Sequence, residues 1–373
     1  MGHVVDRWTV PGSAGKRVKG PRWGRGKRWL ARWSEPDGTE RSKACALKDE
    51  ALSEIPRVDV EVRGGTYVRR STVSFQEYAE QWLSHQLHQR LGTARSASDK
   101  LRLHAFPAIG RKPLGSVTRT DIQELVAGAD SLVAPSSKRL LYVYVRAVFA
   151  AAVEDRLIPV SPCRKIRLPQ VLEVRVSPLT VAQVRARAER CPGHLRGMVW
   201  FGAGTGLRPG ELRGLTVDRV EGDLVRVDRQ LVEGTSASRV VFGPLKTDAS
   251  DRVVRLAPWT LKRLIEHMES FPPGPEGLVF TSARRTPLRR AQLAYAWDVA
   301  TAGLEGVPER SGWHELRHHH ASLLIAAGMS PRAVADRLGH ADPSETLRTY
   351  SHLWPSDEAR IVDAIEGAHG PGC

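Results

Sequence analysis

Four islands in the second half of the chain gather side-chain types that bind phosphate and move protons. The first is Thr205-Gly206-Leu207-Arg208-Pro209-Gly210-Glu211-Leu212. Its glycine can end one helix and its proline can open the next. Arg208 then sits at the junction, able to point into a cleft, with Glu211 three residues on to orient the guanidinium. The second island, Pro244-Leu245-Lys246-Thr247-Asp248, falls between two strand candidates and puts Lys246 at an expected hairpin tip. After Arg208 the only lysines are Lys246 and Lys262, and Lys262 fits an ordinary helical surface pattern. On its own, Lys246 reads equally well as a solvated loop lysine.

The third island is His314-Glu315-Leu316-Arg317-His318-His319-His320. On a helix, His314 and Arg317 are i and i+3 and share one face. Core packing does not account for so dense a run of imidazoles. In the fourth island, Leu338-Gly339-His340 precedes Thr346-Leu347-Arg348-Thr349-Tyr350-Ser351-His352. Gly339 ends a helix begun at Ser330-Pro331, Pro343 opens another, and Tyr350 lies near its C-terminal end. Guanidinium forks match phosphate oxygens, ammonium and imidazole groups can pass protons, and a phenol can carry a phosphate ester. A lone tyrosine at a helix end is usually a packing residue with a wet hydroxyl, so Tyr350 matters only in this company.

The rest of the chain must position these groups and bring them a polyanion. Its 373 residues carry 56 Lys and Arg against 41 Asp and Glu, a net charge of +15, and 41% are hydrophobic. That points to two or three folded domains and a nucleic-acid partner. No apolar signal core opens the chain, and Leu140–Val153 is interrupted by Arg146 and too short to span a bilayer. We expect no membrane association and a cytoplasmic location. Cys45, Cys163, Cys191 and Cys373 form no CxxC pair and read as reduced thiols. We expect no metal and no cofactor.

Three regions follow. Residues 1–65 form a basic module. Between Arg7 and Trp33 it has nine Lys or Arg, no acid, and four tryptophans. Its start is rich in Gly and Pro and reads as flexible. From Lys27 the pattern alternates, with Trp29, Ala31 and Trp33 on one face and Arg28, Leu30 and Arg32 on the other. A turn at Pro36-Asp37-Gly38, a return strand at Arg41–Cys45 and a helix at Lys48–Ile55 complete a β-β-α fold ended by Gly64-Gly65. Arg25, Lys27, Arg28 and Arg32 are its candidate DNA contacts; the plain alternative is a solvated basic arm. Residues 71–168 read as a helical domain, opened by a capping box at Ser74-Phe75-Gln76-Glu77, with helices near Thr93–His104, Thr118–Ala127 and Ser136–Arg156. Residues 174–373 read as mixed α/β. They hold a capping box at Thr180–Gln183, a helix near Leu195–Ala203, and strands at Leu224–Val232, Arg239–Phe242 and Arg252–Leu256. The fold class is therefore multidomain and mainly α with small β-sheets.

The order Arg208, Lys246, His314-x-x-Arg317, His340, Tyr350 resembles the tyrosine recombinase (phage integrase) family. Residues 174–355 carry the resemblance. The helical region is similar to that family's core-binding (SAM-like) domain and the basic module to its arm-binding domain. The resemblance implies a site-specific recombinase that cuts and rejoins DNA through a 3′-phosphotyrosine, integrating or excising a mobile element. It implies Tyr350 as nucleophile, Arg208 and Arg317 as phosphate clamps, Lys246 as general acid, and His314 and His340 as partners in proton transfer and hydrogen bonding. Which histidine does which job stays open. It further implies a homotetramer on core and arm-type DNA sites, with possible DNA-bending and directionality factors. The tail at Pro355–Ala368 would dock on a neighbouring protomer or cap its own domain.

Three other readings remain. His314-Glu315-Leu316-Arg317-His318 also fits HExxH, with Glu345 as a third zinc ligand, but that leaves Arg208, Lys246, Tyr350 and the basic charge without a role. A DNA-binding protein without chemistry would not need every slot filled. A type IB topoisomerase would share the chemistry, but the basic N-terminal module favours an integrase because it suggests binding at a second class of DNA site.

Overall fold

In the computed structural model of the chain, residues 2–12, 16–35, 38–63, 72–86, 90–128, 133–172, 175–234, 240–307, 311–354 and 358–369 are described. They fall into two compact units, one reaching Val171 and one starting at Leu172.

The first unit opens with strands β1 (His3–Asp6), β2 (Thr9–Pro11), β3 (Arg17–Lys19), β4 (Trp29–Ser34) and β5 (Glu40–Cys45), then helix α1 (Lys48–Arg63). β1, β4 and β5 form an antiparallel sheet in which Ala31 lies opposite Val4 and Lys43. The expected alternation holds: Ala31 and Cys45 are fully buried with Ala51, packed beside Trp29, Trp33 and Ile55, while Arg32 is exposed. Two expectations change. The glycine-rich start is not free, since β1 adds a third strand and β2 and β3 pair as a hairpin. Asp6, just before the acid-free run, anchors it. Its carboxylate accepts from the Trp8 N–H (3.0 Å), the Thr9 hydroxyl (2.8 Å) and Arg28 Nη2 (2.9 Å). The helix also outruns its expected end at Ile55. Pro36, Asp37, Gly64 and Gly65 lie outside the described residues.

The same unit continues with α2 (Phe75–Ser84), α3 (Leu91–Lys100), α4 (Phe106–Ile109), α5 (Arg119–Gly128) and α6 (Pro135–Glu154). The Ser74–Glu77 capping box forms as expected. A turn of wider pitch at Leu101–Ala105 joins α3 to α4. Phe75 stacks on Phe149 at 5.1 Å in a core that also takes Tyr78, Ala79, Leu101, Ile122 and Val148. α6 is thus a buried helix of this bundle, and no described helix is long and apolar enough to cross a membrane.

The second unit comprises α7 (Val181–Arg190), α8 (Gly193–Thr205), α9 (Pro209–Arg213), β6 (Val220–Glu221), β7 (Leu224–Val227), β8 (Gln230–Glu233), β9 (Val240–Gly243), β10 (Arg252–Arg255), α10 (Pro258–Ser270), α11 (Arg290–Thr301), α12 (Glu315–Ala326), α13 (Pro331–Leu338), α14 (Pro343–Tyr350) and α15 (Glu358–His369). Thr180 and Gln183 form the second expected capping box. The strand expected at Leu224–Val232 is two strands. β7 pairs with β6 and β10, whereas β8 pairs with β9. Lys246 therefore does not cap a hairpin. Its loop crosses from one sheet to the other, because β9 and β10 have different partners. α8 runs through the main core, with Met198, Val199 and Phe201 packed among Phe280, Trp297, Trp313 and Leu316. A smaller core of Ala321, Ile325, Val334, Leu338 and Tyr350 ties α12, α13 and α14 together.

Candidate active site

The second unit brings most of the chemical islands to one place. Gly206 ends α8 in the left-handed region (φ 69°). A Cβ there would come within 2.7 Å of the His320 ring, so a side chain is excluded both by conformation and by space. Pro209 then starts α9 with Arg208 as its N-cap residue. Arg208 Nη1 donates to Glu211 Oε1 (3.0 Å) and to Ser250 Oγ (3.0 Å), and Nη2 donates to the Gly339 carbonyl (3.1 Å). Glu211 is 3% exposed. Its other oxygen accepts from the Arg208 N–H and from Arg252 Nη2, both at 3.0 Å. Burial opposes its charge, but the Arg252 and Arg208 guanidiniums outweigh it and hold the carboxylate below its ordinary pKa.

Arg317 lies in the first turn of α12 and is 1% exposed. Nη1 donates to the Gly206 carbonyl (2.9 Å), and Nη2 is buried without a partner among the described residues. Burial first, then the Arg208 charge, pushes its pKa down to about 9, which still leaves it charged at neutral pH. A buried, unpaired guanidinium arm costs free energy unless an anion meets it. Gly339 ends α13 in the left-handed region (φ 70°) and delivers His340. His340 Nδ1 shares a 2.6 Å hydrogen bond with the buried Thr346 hydroxyl. Burial and the charges of Arg317, Arg208, Arg252 and Lys246 push its pKa down to about 3, so the ring is neutral at pH 7.

Tyr350 is the last residue of α14, and its ring belongs to the smaller core at 1% exposure. Its hydroxyl hydrogen-bonds His318 Nδ1 at 2.7 Å. Burial raises the phenol pKa to about 12 despite Arg317. The expected set thus converges for Arg208, Glu211, Arg317, His340 and Tyr350. His314 caps α12 rather than sitting inside it. Although the residue as a whole is exposed, crowding by protein atoms and the neighbouring His318, Arg317, Arg208 and His340 push its pKa down to about 3. Solvent at its exposed part tempers that shift. Lys246 is exposed, and its charge reaches His340.

Four residues of this site were outside the expected recombinase set: His318, which entered only through the zinc reading, Ser250, Arg252 and Thr346. Ser250 and Arg252 lie four and six residues after Lys246, and Thr346 lies four residues before Tyr350, so the signal was proximity to assigned positions. The expectation that core packing cannot explain the imidazole run fails for two members. His319 and His320 are core residues whose Nδ1 atoms meet the Leu179 carbonyl (2.6 Å) and the Ala203 carbonyl (2.9 Å). Nor do the HExxH residues assemble a zinc site. His318 Nδ1 is taken by Tyr350, and among the described residues no three His, Cys, Asp or Glu side chains gather as metal ligands.

Comparison with known proteins gives the family. The sequence model of the phage integrase family matches residues 179–356. The integrase of Mycobacterium phage D29 is 30% identical over 306 residues, covering 80% of this chain and 80% of that protein. The chain belongs to the phage integrase family. This family member is accordingly a tyrosine-type site-specific recombinase, a DNA breaking and rejoining enzyme. Its fold is that of the Tn1549 transposon integrase solved with a circular intermediate DNA (TM-score 0.66, 19% identity, 79% of this chain and 99% of that one). A lambda integrase tetramer bound to a Holliday junction shares it too (TM-score 0.56, 19% identity, 85% of this chain and 94% of that one). In this integrase-family chain the basic module leaves Arg25, Lys27 and Arg32 exposed. Arg28 is half-buried against Asp6 and lies over the Trp29 ring at 4.8 Å.

Proposed function

We propose that this recombinase integrates or excises a mobile element by joining Tyr350 to a 3′ phosphate of duplex DNA. One observation carries the assignment. The buried Nη2 of Arg317, without a partner among the described residues, lies in the same site as Arg208, His340 and the Tyr350 hydroxyl. Arg317 and Arg208 clamp the non-bridging oxygens of the scissile phosphate and stabilise the charge that develops on them. The Tyr350 oxygen attacks phosphorus, and the 5′ oxygen leaves with a proton from Lys246. Neutral His340 donates a hydrogen bond to the phosphate, and His314 assists near the tyrosine. A 5′ hydroxyl from a second DNA end then attacks and frees Tyr350. Glu211 holds Arg208 in place.

The organisation we infer has an arm-binding module at 1–65, a core-binding domain at 71–168 and a catalytic domain at 174–373. Separate hydrophobic cores in the module and in the helical bundle support the first boundary. Arg25, Lys27, Arg28 and Arg32 supply arm-site contacts, Arg28 by exchanging Asp6 for phosphate. Four copies act together on two duplexes in the host cytoplasm, with DNA-bending and directionality factors as accessory partners. The apolar side chains of α15, Ile361, Val362 and Ile365, are each at least half exposed, which suits docking on a neighbouring copy. The deciding experiment traps the chain on a nicked suicide duplex and maps the DNA-linked residue by mass spectrometry. The adduct should be on Tyr350, and Tyr350→Phe should bind DNA and form none. An adduct on another residue, or one formed by Tyr350→Phe, refutes the assignment.

A further inference from the structure

The hydrogen bond on the nucleophile comes from a residue outside the six-residue set. Tyr350 Oη and His318 Nδ1 are 2.7 Å apart, and their rings meet edge to face at 5.6 Å. The small core under α12 and α14 fixes this contact, since the Tyr350 ring packs there with Ala321 and Ile325 of α12. Three neighbouring imidazoles are committed elsewhere. His319 and His320 hold backbone carbonyls, and His340 holds Thr346. His314 meets the His318 ring at 4.8 Å, edge to face, one residue further from the phenol. Glu315 and Glu345 act on the phenol through their charge, and among the described residues neither hydrogen-bonds it.

We propose that His318 is the general base of the cleavage step, its Nδ1 taking the Tyr350 proton as Oη bonds to phosphorus. This rests on Tyr350 being the nucleophile. In cleavage the Oη–P bond forms and the P–O5′ bond breaks, its electron pair leaving with O5′. The Oη proton moves to His318 Nδ1, and Lys246 protonates O5′. Rejoining reverses each transfer, so His318 returns its proton to the departing phenolate. To accept, the ring must carry its single proton on Nε2. Burial and the Arg317 charge favour the neutral ring, with the pKa pushed down to about 4. The phenol yields its proton only as the O–P bond grows, so the transfer belongs to the transition state rather than to the resting enzyme. That keeps Tyr350 inert until phosphate fills the clamp.

The test uses the full chain and single-turnover cleavage of a nicked suicide duplex at saturating DNA. His318→Asn keeps an acceptor near Oη but cannot hold the proton. It should bind DNA and melt like the parent, yet cleave on the order of 100-fold more slowly. Replacing Tyr350 by a fluorinated tyrosine that ionises near neutral pH should shrink that penalty below about tenfold, because a phenol already ionised needs no base. If His318→Asn folds poorly, His318→Gln preserves volume while moving the acceptor away, and should show the same penalty and the same relief. Cleavage at the parental rate, or a penalty unchanged by the fluorinated phenol, overturns the role of His318. A parental adduct that does not map to Tyr350 overturns the nucleophile assignment and this inference with it, so the two failures are told apart.

Discussion

Glu211 joins two guanidiniums at the base of the site, so its charge can be tested for both stability and chemistry. The Glu211→Gln change keeps the shape and one acceptor oxygen. It removes the charge that faces Arg208 and Arg252, each 3.0 Å away, from a side chain 2% exposed. Arg252 is itself 8% exposed, so its charge would stay buried without compensation. Breaking such a pair costs roughly 3–5 kcal/mol. The retained oxygen places this case near the lower end, about 3 kcal/mol. For a unit of this size that corresponds to a Tm lower by roughly 6–12 °C. Arg208 would keep its Ser250 and Gly339 contacts but lose its fixed orientation, and cleavage should fall by about ten- to a hundredfold. The assay pairs thermal unfolding at pH 7.5 with single-turnover cleavage at saturating DNA. Asp336→Asn is the control, because the Arg332–Asp336 pair is 72% and 55% exposed and should change stability by less than about 0.5 kcal/mol. If both variants melt alike and cleave at the parental rate, Glu211 does not organise the clamp.

Other outcomes follow from the same geometry. Arg317→Lys keeps a charge but loses the fork, and cleavage should drop on the order of 100- to 1,000-fold; a rate within threefold of the parent would contradict the clamp. His320 and His340 have folded pKa values pushed down to about 3, below the ordinary value of about 6.5. As pH falls, the unfolded chain takes up protons first. The stability present above about 6.5 is then lost progressively toward about 3, at about 1.4 kcal/mol per pH unit for each neutral histidine. Urea unfolding at pH 7 and pH 5.5 measures this, and equal stabilities would contradict it. Deleting residues 1–65 should abolish integration and leave cleavage of core DNA intact; unimpaired integration would remove the arm-binding role.

The sequence was most readable where residue type alone constrains geometry. Proline at a first turn and glycine in the left-handed region located Arg208 and His340 at helix boundaries, and both capping boxes formed as read. Long-range contacts were the blind spot. The His318–Tyr350 hydrogen bond spans 32 residues and depends on how α14 packs on α12, which periodicity does not encode. His319 and His320 looked chemical because imidazoles are rare in cores, yet carbonyls at the ends of other elements satisfy them. The hairpin expected around Lys246 failed because strand pairing, unlike strand propensity, is non-local. β1 to β3 were missed because three- and four-residue strands among Gly, Pro and Arg carry little pattern; β1 is held by pairing with β4, β2 and β3 by pairing with each other, and Asp6 ties the segment to Arg28.

The carbonyl of Gly339 accepts from Arg208 Nη2 and from Ser250 Oγ at 3.3 Å. A Cβ on that residue would lie 2.9 Å from Arg252 Nη1 and 3.1 Å from the Ala249 carbonyl. One main-chain oxygen on a residue with no side chain therefore seats the Arg208 guanidinium. Mobile elements leave many degenerate copies in genomes, and such copies are commonly judged by whether their reactive side chains survive. A copy that keeps all six and has lost this glycine would pass that inspection while its clamp is sprung, so Gly339 belongs beside Tyr350 when living copies are sorted from relics.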